Sequence, residues 1–385
     1  MRLIVRYQGE SVGRLNDDTG EMLFQYDNDF LRKKIELSPF YLPLQQGVIT
    51  TRSPFEGILP GLFADSLPDH WGRAIMDRRL REAGIPPENV SILKRLVLIG
   101  TGALGALTYH PEESSDENGF TNIKEAMQFA RAVIKETAGN LPGSRILQEA
   151  GSNPGGRTPK LLIGWKKDCE QLMIGSHEYE EGYEPCIMKL DMGKQMPAHQ
   201  RNLCQKEHRL LSTARQAGIE TPDHWLIEGE DEENGAYAHL IVLRFDRAGK
   251  HRIHTHTFGG LTHQLAVRYG SSYEDLLRST MALCKDHRQV VQQYRRMVFN
   301  VVSGNRDDHV RNHSFLLKES IGWILSPAYD LTPTPEKPEH ALSINSKWNS
   351  ISDSDMIKVA ELFSIDKPTQ IIEQCRDAFG ESEIS

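Results

Sequence analysis

The stretch GNRDDHVRNHSFLL, residues 304–317, places Asp307 and Asn312 five positions apart, directly after a helical pattern and before a strand-like one. That is the D-x-x-x-x-N spacing of a kinase catalytic loop. Phosphoryl transfer needs one carboxylate within reach of the attacking hydroxyl and a nearby oxygen ligand for magnesium, and one loop with this spacing supplies both. Slightly further on, SPAYDLTPT, residues 326–334, presents Asp330 as a second oxygen ligand of the kind hard cations take. A lone Asp is most often a cap or turn residue, and D-x-x-x-x-N recurs by chance, so the weight of the pattern lies in what precedes it.

Working outward toward the N-terminus, Lys189 ends the apolar strand candidate PCIMKLD, and Glu207 lies on the helical pattern that follows, spaced to turn inward and pair with it. Taken singly, the first reads as a solvated strand-end lysine and the second as a solvent-facing glutamate. Before them stands SNPGGRTPK, residues 152–160. Gly155 and Gly156 let backbone N–H groups approach a phosphate, and Arg157 or Lys160 adds positive charge. Out of context such a loop is only a turn. In order, glycine loop, strand lysine, helix glutamate, a link near LRFDR, helices, D-x-x-x-x-N and a final Asp follow the plan of a protein-kinase-like phosphotransferase using ATP and Mg2+.

The rest of the chain is compatible with that plan. Its 385 residues suffice for two or three cooperating domains, and 38% hydrophobic with 25% charged residues is an ordinary globular composition. RLIVRYQGESVGRLNDDTGEMLFQYD alternates apolar and polar residues around turn signals, as successive hairpins do, and SLPDHWGRAIMDRRLREAGI places Trp71, Ile75 and Leu80 on one side of a helix ending at Gly84. KRLVLIGTGALGALTYHPEE reads as strand-like, and ESSDENG as an exposed break. PKLLIGWK, QLMIGS, PCIMKLD and YAHLIVLRFD are strand candidates, with one long helix, HQRNLCQKEHRLLSTARQAGI, among them. The last third is mostly helical, through YEDLLRSTMALC, RQVVQQYRRMVFNVVSG and IDKPTQIIEQCRDAF.

No apolar run reaches the roughly 20 residues of a membrane helix, and the N-terminus lacks the apolar region of a secretory signal, so a cytoplasmic protein is expected. Five cysteines without a C-x-x-C pair point to reduced thiols, away from a disulfide framework or zinc site. A net charge of -8 argues against a surface that binds nucleic acid nonspecifically throughout.

Other patterns compete. Gly100, Gly102 and Gly105 match a dinucleotide fingerprint by letter, but no helix is expected after them. His251, His254, His256 and His263 cluster in HRIHTHTFGGLTH, where the bland reading is packing and the sharper one a metal site. His309 and His313, with Asp307 and Asp308, suit a metal-dependent phosphohydrolase, the leading rival enzyme. A non-catalytic nucleic-acid or partner-binding module would draw on the basic stretch QQYRRMVFN.

At FEGILPGLFADSLPD, IGTGALGALTYHP, SNPGGRTPK, IMKL, VLRFDR, HTHTFGGL, GNRDDHVRNHSF and PAYDLTPT, in that order, the chain resembles the HipA family of serine/threonine kinase toxins of bacterial toxin–antitoxin systems. The resemblance implies an α+β, two-lobed protein-kinase-like fold: an N-terminal β-rich subdomain over residues 1–138, a kinase N-lobe core over 139–245, and a helical C-lobe over 246–385. It implies Asp307 as catalytic base or orienter of the substrate hydroxyl, His309 as support of the catalytic loop, Asn312 and Asp330 as magnesium ligands, and Lys189 on the α- and β-phosphates. Backbone from Leu243 to Phe245 would meet adenine, Arg311 stands where Lys is usual, and Ser152 matches an autophosphorylated serine whose modification switches the kinase off. It further implies a HipB-like helix-turn-helix antitoxin, operator DNA reached through it, and an aminoacyl-tRNA synthetase as protein substrate.

Overall fold

The computed structural model describes residues 1–385 apart from 18–19, 51, 112–118, 136–147, 149, 152–157, 168–170, 175–178, 196–200, 233–234, 267–269, 385 and the side chains of 381–384. Ser152, Gly155, Gly156, Arg157 and nearly all of ESSDENG therefore lie outside the described residues. The chain forms two compact units, Met1–Cys204 with Trp225–His254, and Gln205–His224 with Thr255–Ser385.

The first unit opens with a five-stranded sheet of β1 (Arg2–Tyr7), β2 (Glu10–Asn16), β3 (Leu23–Tyr26), β4 (Val48–Thr50) and β5 (Leu107–His110), in the order β4-β3-β2-β1-β5. Alternation in β1 buries Leu3, Val5 and Tyr7. Gln8 and Gly9, at φ 51° and 80°, form the two-residue turn into β2, as expected from the hairpin signal. Helices α1 (Asn28–Lys33), α2 (Gly61–Ala64), α3 (His70–Glu82) and α4 (Ile92–Ile99) follow. Trp71, Ile75 and Leu80 of α3 are buried as their spacing predicts.

The strand-like reading of KRLVLIGTGALGALTYHPEE is corrected: its first part is α4, and only Leu107–His110 is strand. Ser91 caps α4 by accepting from Lys94 N at 3.2 Å, and Gly100 ends it at φ 52°. Apolar residues surround most of α4, and a short fully buried helix cannot be told from a strand by periodicity. The three glycines thus follow a helix and precede a strand, the reverse of a dinucleotide fold.

A second, six-stranded sheet runs β10-β11-β9-β7-β8-β6, from β6 (Gly119–Asn122), β7 (Lys160–Trp165), β8 (Gln171–Ile174), β9 (Glu184–Lys189), β10 (His224–Asp231) and β11 (Gly235–Leu243). One face packs Leu161, Ile163, Cys186, Met188 and Ile241 against Phe129 and Met127 of α5 (Ile123–Ile134) and against Trp71 and Ile75 of α3. Each such side chain contributes about 1.5–3 kcal/mol by leaving water. A hairpin of β12 (Arg247–Ala248) and β13 (His251–Arg252) follows.

The second unit contains α6 (Leu203–Gln216), β14 (His254–Thr257), α7 (Phe258–Thr262), α8 (Tyr273–Cys284), α9 (His287–Ser303), β15 (Ser314–Lys318), β16 (Gly322–Leu325), α10 (Asp353–Leu362) and α11 (Pro368–Ile384). Helix α9 packs on α8 and α11 and buries Tyr294, Met297, Val298 and Phe299. Strands β14, β15 and β16 form a small sheet whose hairpin pairs Phe315 with Leu325. Of the cysteines, Cys186, Cys204 and Cys375 are buried free thiols, Cys284 is a half-buried one, and Cys169 lies outside the described residues. No helix among the described residues is long and apolar enough to cross a membrane.

Candidate active site

The loop that carries Asp307 begins where α9 must stop. Gly304, at φ 67°, takes the left-handed conformation and turns the chain out of the helix. The loop then closes on itself. Asp307 N donates to Asn305 Oδ1 at 3.3 Å, Arg311 N to His309 Nδ1 at 3.3 Å, and Asn312 N to the His309 carbonyl at 2.9 Å. Asn312 Nδ2 donates to the Asp307 carbonyl at 2.7 Å. A carbonyl only accepts, so the amide nitrogen must face it and Asn312 Oδ1 is turned the other way, available to a cation. The Asp307 carboxylate is 40% exposed, and its Oδ1 pairs with the ammonium of Lys337.

Asp308, the next residue, is spent on structure. Its carboxylate is fully buried and accepts from Tyr273 Oη at 2.8 Å, His340 Nδ1 at 2.8 Å and Ala341 N at 2.7 Å. Burial alone would raise its pKa, but the hydrogen bond and charge of His340 and the donors Ala341 N and Tyr273 hold it below the usual carboxylate value. Behind Tyr273 the chain of donors continues: Asn300 Nδ2 donates to Tyr273 Oη at 2.8 Å, and Asn305 Nδ2 to Asn300 Oδ1 at 3.0 Å. His313 is likewise interior. Its ring stands edge-on to Tyr273, Gln293 Nε2 lies 3.4 Å from its Nδ1, and burial pushes its pKa down to about 4.

These placements and those of two other clusters bear on three rival readings. Asp308 and His313 do not join Asp307 and His309 around an open metal, which removes the phosphohydrolase constellation, and no group of three or more His, Cys, Asp or Glu among the described residues is arranged to hold a metal. His254 and His256 are both buried, with His254 Nε2 on the Leu37 carbonyl at 2.9 Å. Both arginines of the basic stretch of α9 are engaged by the protein's own acceptors. Arg296 is buried and donates to the Ser326 carbonyl at 2.6 Å, and Arg295 donates to the Ala217 carbonyl and to Gln374.

Asp330 follows β16. Ser326 N donates to the Ser314 carbonyl at 3.0 Å. Tyr329 Oη donates to the Arg311 carbonyl at 2.8 Å and, its one proton used, accepts from Ser314 Oγ at 2.6 Å. The residue before Asp330 is thereby tied to the residue before Asn312. Asp330 itself sits at φ 56°, a left-handed conformation that costs a non-glycine residue roughly 1–2 kcal/mol. Gly259 makes room on the other side of the loop: its N–H donates to the Val310 carbonyl at 2.9 Å, and a Cβ there would stand 2.9 Å from Val310 Cγ2.

In the first unit, Lys160 and Lys189 are direct partners across β7 and β9, so both side chains leave the same face of the sheet. Lys160 is buried and Lys189 half-buried. Leu243 pairs with Cys186 at the end of β11, Arg244 N donates to the Pro185 carbonyl at 2.9 Å, and Phe245 is half-buried. Glu207 is buried on α6, in the second unit.

Sequence reading missed Lys337, Tyr273 and His340. Each lies about 30 residues or more from its aspartate, and the only signal was an unexplained proline-flanked lysine in TPTPEKPEH.

Residues 152–382 match the description of the HipA-like C-terminal domain, and residues 3–110 that of the HipA N-terminal domain. Y4dM of Sinorhizobium fredii, named as a candidate kinase, is 25% identical over 346 residues, 86% of this chain and 77% of its own length. A Haemophilus influenzae protein also named as a candidate kinase is 25% identical over 157 residues, 38% of this chain and 46% of its own. Among solved structures, a chain from the Shewanella oneidensis complex of the toxin–antitoxin system HipA, HipB and its operator DNA superposes with a TM-score of 0.71 at 18% identity, covering 99% of this chain and 91% of that one. That likeness establishes the same α+β architecture, that of a HipA protein. With a domain match spanning well over half of its residues and the second match on the N-terminal region, the chain belongs to the HipA family.

Proposed function

We propose that this chain is an ATP- and magnesium-dependent serine/threonine protein kinase of the HipA toxin type. The observation that carries this is the Asp307–Asn312 loop: an accessible carboxylate beside an amide whose oxygen is turned outward by the Asn312–Asp307 hydrogen bond. Asp307, Asn312 and Asp330 supply hard oxygen donors, and magnesium is commonly held by one or two carboxylates together with nucleotide phosphates rather than by a full protein cage. Bound ATP–magnesium supplies the transferable phosphoryl group. Asp307 orients the substrate hydroxyl and takes its proton, His309 braces the loop through its ring nitrogen and carbonyl, and Arg311 adds positive charge. In the first unit, Lys160 and Lys189 offer a paired cationic face for phosphates, and backbone from Leu243 to Phe245 takes the adenine.

In this reading the acceptor is a protein hydroxyl, with an aminoacyl-tRNA synthetase as the substrate suggested by the family, so that phosphorylation halts translation and growth. Self-phosphorylation at Ser152 would place a dianion where ATP phosphates bind and switch the enzyme off. A HipB-like antitoxin, and operator DNA through it, are the proposed partners, supported by the composition of the Shewanella complex.

The test is incubation of the purified protein with labelled ATP and magnesium, beside Asp307→Asn, followed by phosphosite mapping. Label on Ser152 in the wild type alone is the expected result. No label, together with no nucleotide binding by dephosphorylated protein in calorimetry, would overturn the kinase reading.

A further inference from the structure

The segment after Asp330, LTPTPEKPEH at 331–340, contains neither helix nor strand, yet it is tied to the catalytic loop at several points. Thr334 N donates to the Gly304 carbonyl at 3.2 Å, and Arg306 N donates to Thr334 Oγ1 at 2.8 Å. Arg306 Nη1 donates to the Lys337 carbonyl at 2.5 Å, while Lys337 N closes a turn on the Thr334 carbonyl at 3.0 Å. Beyond it, His340 and Ala341 grip the Asp308 carboxylate. Pro333, Pro335 and Pro338 fix φ along the same stretch. Lys337 is thus delivered to Asp307 by a backbone anchored on both flanks of the lysine.

An ordinary surface ion pair contributes about 0–1 kcal/mol and costs the entropy of two long side chains, so a lysine meeting an aspartate is weak evidence by itself. Here five backbone-directed anchors converge on placing one ammonium against one oxygen of the residue assigned to take the substrate proton. At 35% exposure the Lys337 side chain is also accessible from solvent, as a group beside a protein substrate must be.

We propose that Lys337 is a positioning residue for phosphoryl transfer: its ammonium occupies Oδ1 of Asp307, fixes the rotation of the carboxylate, and leaves Oδ2 to receive the hydroxyl proton. The inference rests on the kinase reading above. In the step it serves, the substrate hydroxyl oxygen forms the new bond to the γ-phosphorus. The bond from that phosphorus to the β–γ bridging oxygen breaks, ADP leaves with the electron pair, and the hydroxyl proton passes to Asp307 Oδ2.

Steady-state transfer by full-length protein decides the matter, using the wild type, Lys337→Met, Lys337→Arg, Asp307→Asn and the Asp307→Asn/Lys337→Met double variant. Lys337→Met is expected to lower kcat about 10- to 100-fold, the scale of a misplaced catalytic group, with KM for ATP and the melting temperature unchanged. Lys337→Arg should recover part of the loss, and Lys337→Met should add nothing once Asp307 is Asn, because the lysine acts through that carboxylate. An active wild type with an equally active Lys337→Met would overturn the positioning role alone. So would a more active Lys337→Met, which would make the ammonium a plug, or a loss that persists in full in the Asp307→Asn background. A wild type that transfers no phosphate overturns the kinase reading, and this inference with it.

Discussion

Asp246 in the first unit and Asp307 in the second both meet cationic side chains, and the two regions finish in opposite conditions. Asp246 is sealed. It accepts from Arg244 Nε at 2.9 Å and Nη2 at 2.8 Å, from Arg247 Nη1 at 2.8 Å and from Gly105 N at 2.7 Å. Arg247 and Arg252 go on to the carbonyls of residues 101–107, so the cluster binds the segment after β11 to the glycine-bearing loop before β5. Burial would raise the Asp246 pKa, yet Arg244 and Arg247 hold it far below the usual carboxylate range. Asp307, by contrast, keeps one oxygen on Lys337 and remains 40% exposed. A carboxylate whose acceptor capacity is filled inside the protein holds a fold together, and one left partly open has capacity for a substrate.

The largest effect expected from this contrast is on Asp246. Asp246→Ala strands two buried guanidinium groups and should cost about 3–5 kcal/mol, the range for breaking a buried ion pair. Hydrogen exchange should show the loss in the peptides of residues 100–110 and 240–252. Unchanged protection there would erase the distinction between the two regions.

The same contrast recurs in miniature at Asp307 and Asp308. Asp308→Ala leaves Tyr273 Oη and Ala341 N without an acceptor in the interior, at about 1–3 kcal/mol for each stranded group, and should show as a lowered denaturation midpoint. Asp307→Asn should change stability by less than about 1 kcal/mol, as for an exposed pair, while cutting phosphoryl transfer by about 10²–10⁴-fold. Equal effects of the two substitutions on stability would mean that exposure does not separate their roles.

What could be read from the sequence follows the same division between local and distant. Asp307 and Asn312 were legible because one short loop carries both, and α3, α6, α8, α9 and the strands of PKLLIGWK and PCIMKLD because apolar periodicity is a local signal. Strands β6 and β10 escaped because GFTN and HWLIEGED are too polar to look like strands. Helix α10 escaped although Ser352 and Asp355 form its capping box. The Arg247 and Arg252 contacts with the loop before β5 bridge some 140–150 residues, and those of Lys337 and His340 bridge about 30, so no window of sequence contains both partners. Asp308 was weighed as a metal ligand because residue type alone does not say which of two neighbouring carboxylates faces inward.

A smaller effect tests the sealed region by pH. His239 on β11 is fully buried, stacks on Tyr237 with ring centroids 4.3 Å apart, and accepts from Asp191 N through Nδ1 at 3.0 Å. The Asp191 carboxylate in turn accepts from Gly193 N and Ala238 N, and for a proton on the imidazole the Asp231 carboxylate only partly offsets the effect of burial. Burial pushes the His239 pKa down to about 4 from an ordinary 6.5. Above pH 6.5 neither state holds the proton and stability is unaffected. Between 6.5 and 4 the unfolded chain is protonated and the folded one is not, so stability falls as pH falls, by about 3 kcal/mol in all, and then levels off once both states are charged. His239→Asn keeps an acceptor for Asp191 N without a titrating group, and should flatten that slope in hydrogen exchange of the first unit's β9 and β11 peptides. His313 has a similarly lowered pKa in the second unit, so its slope should survive the substitution; a variant whose β9 and β11 protection still falls as steeply with acid would show that the imidazole is not sealed from protons.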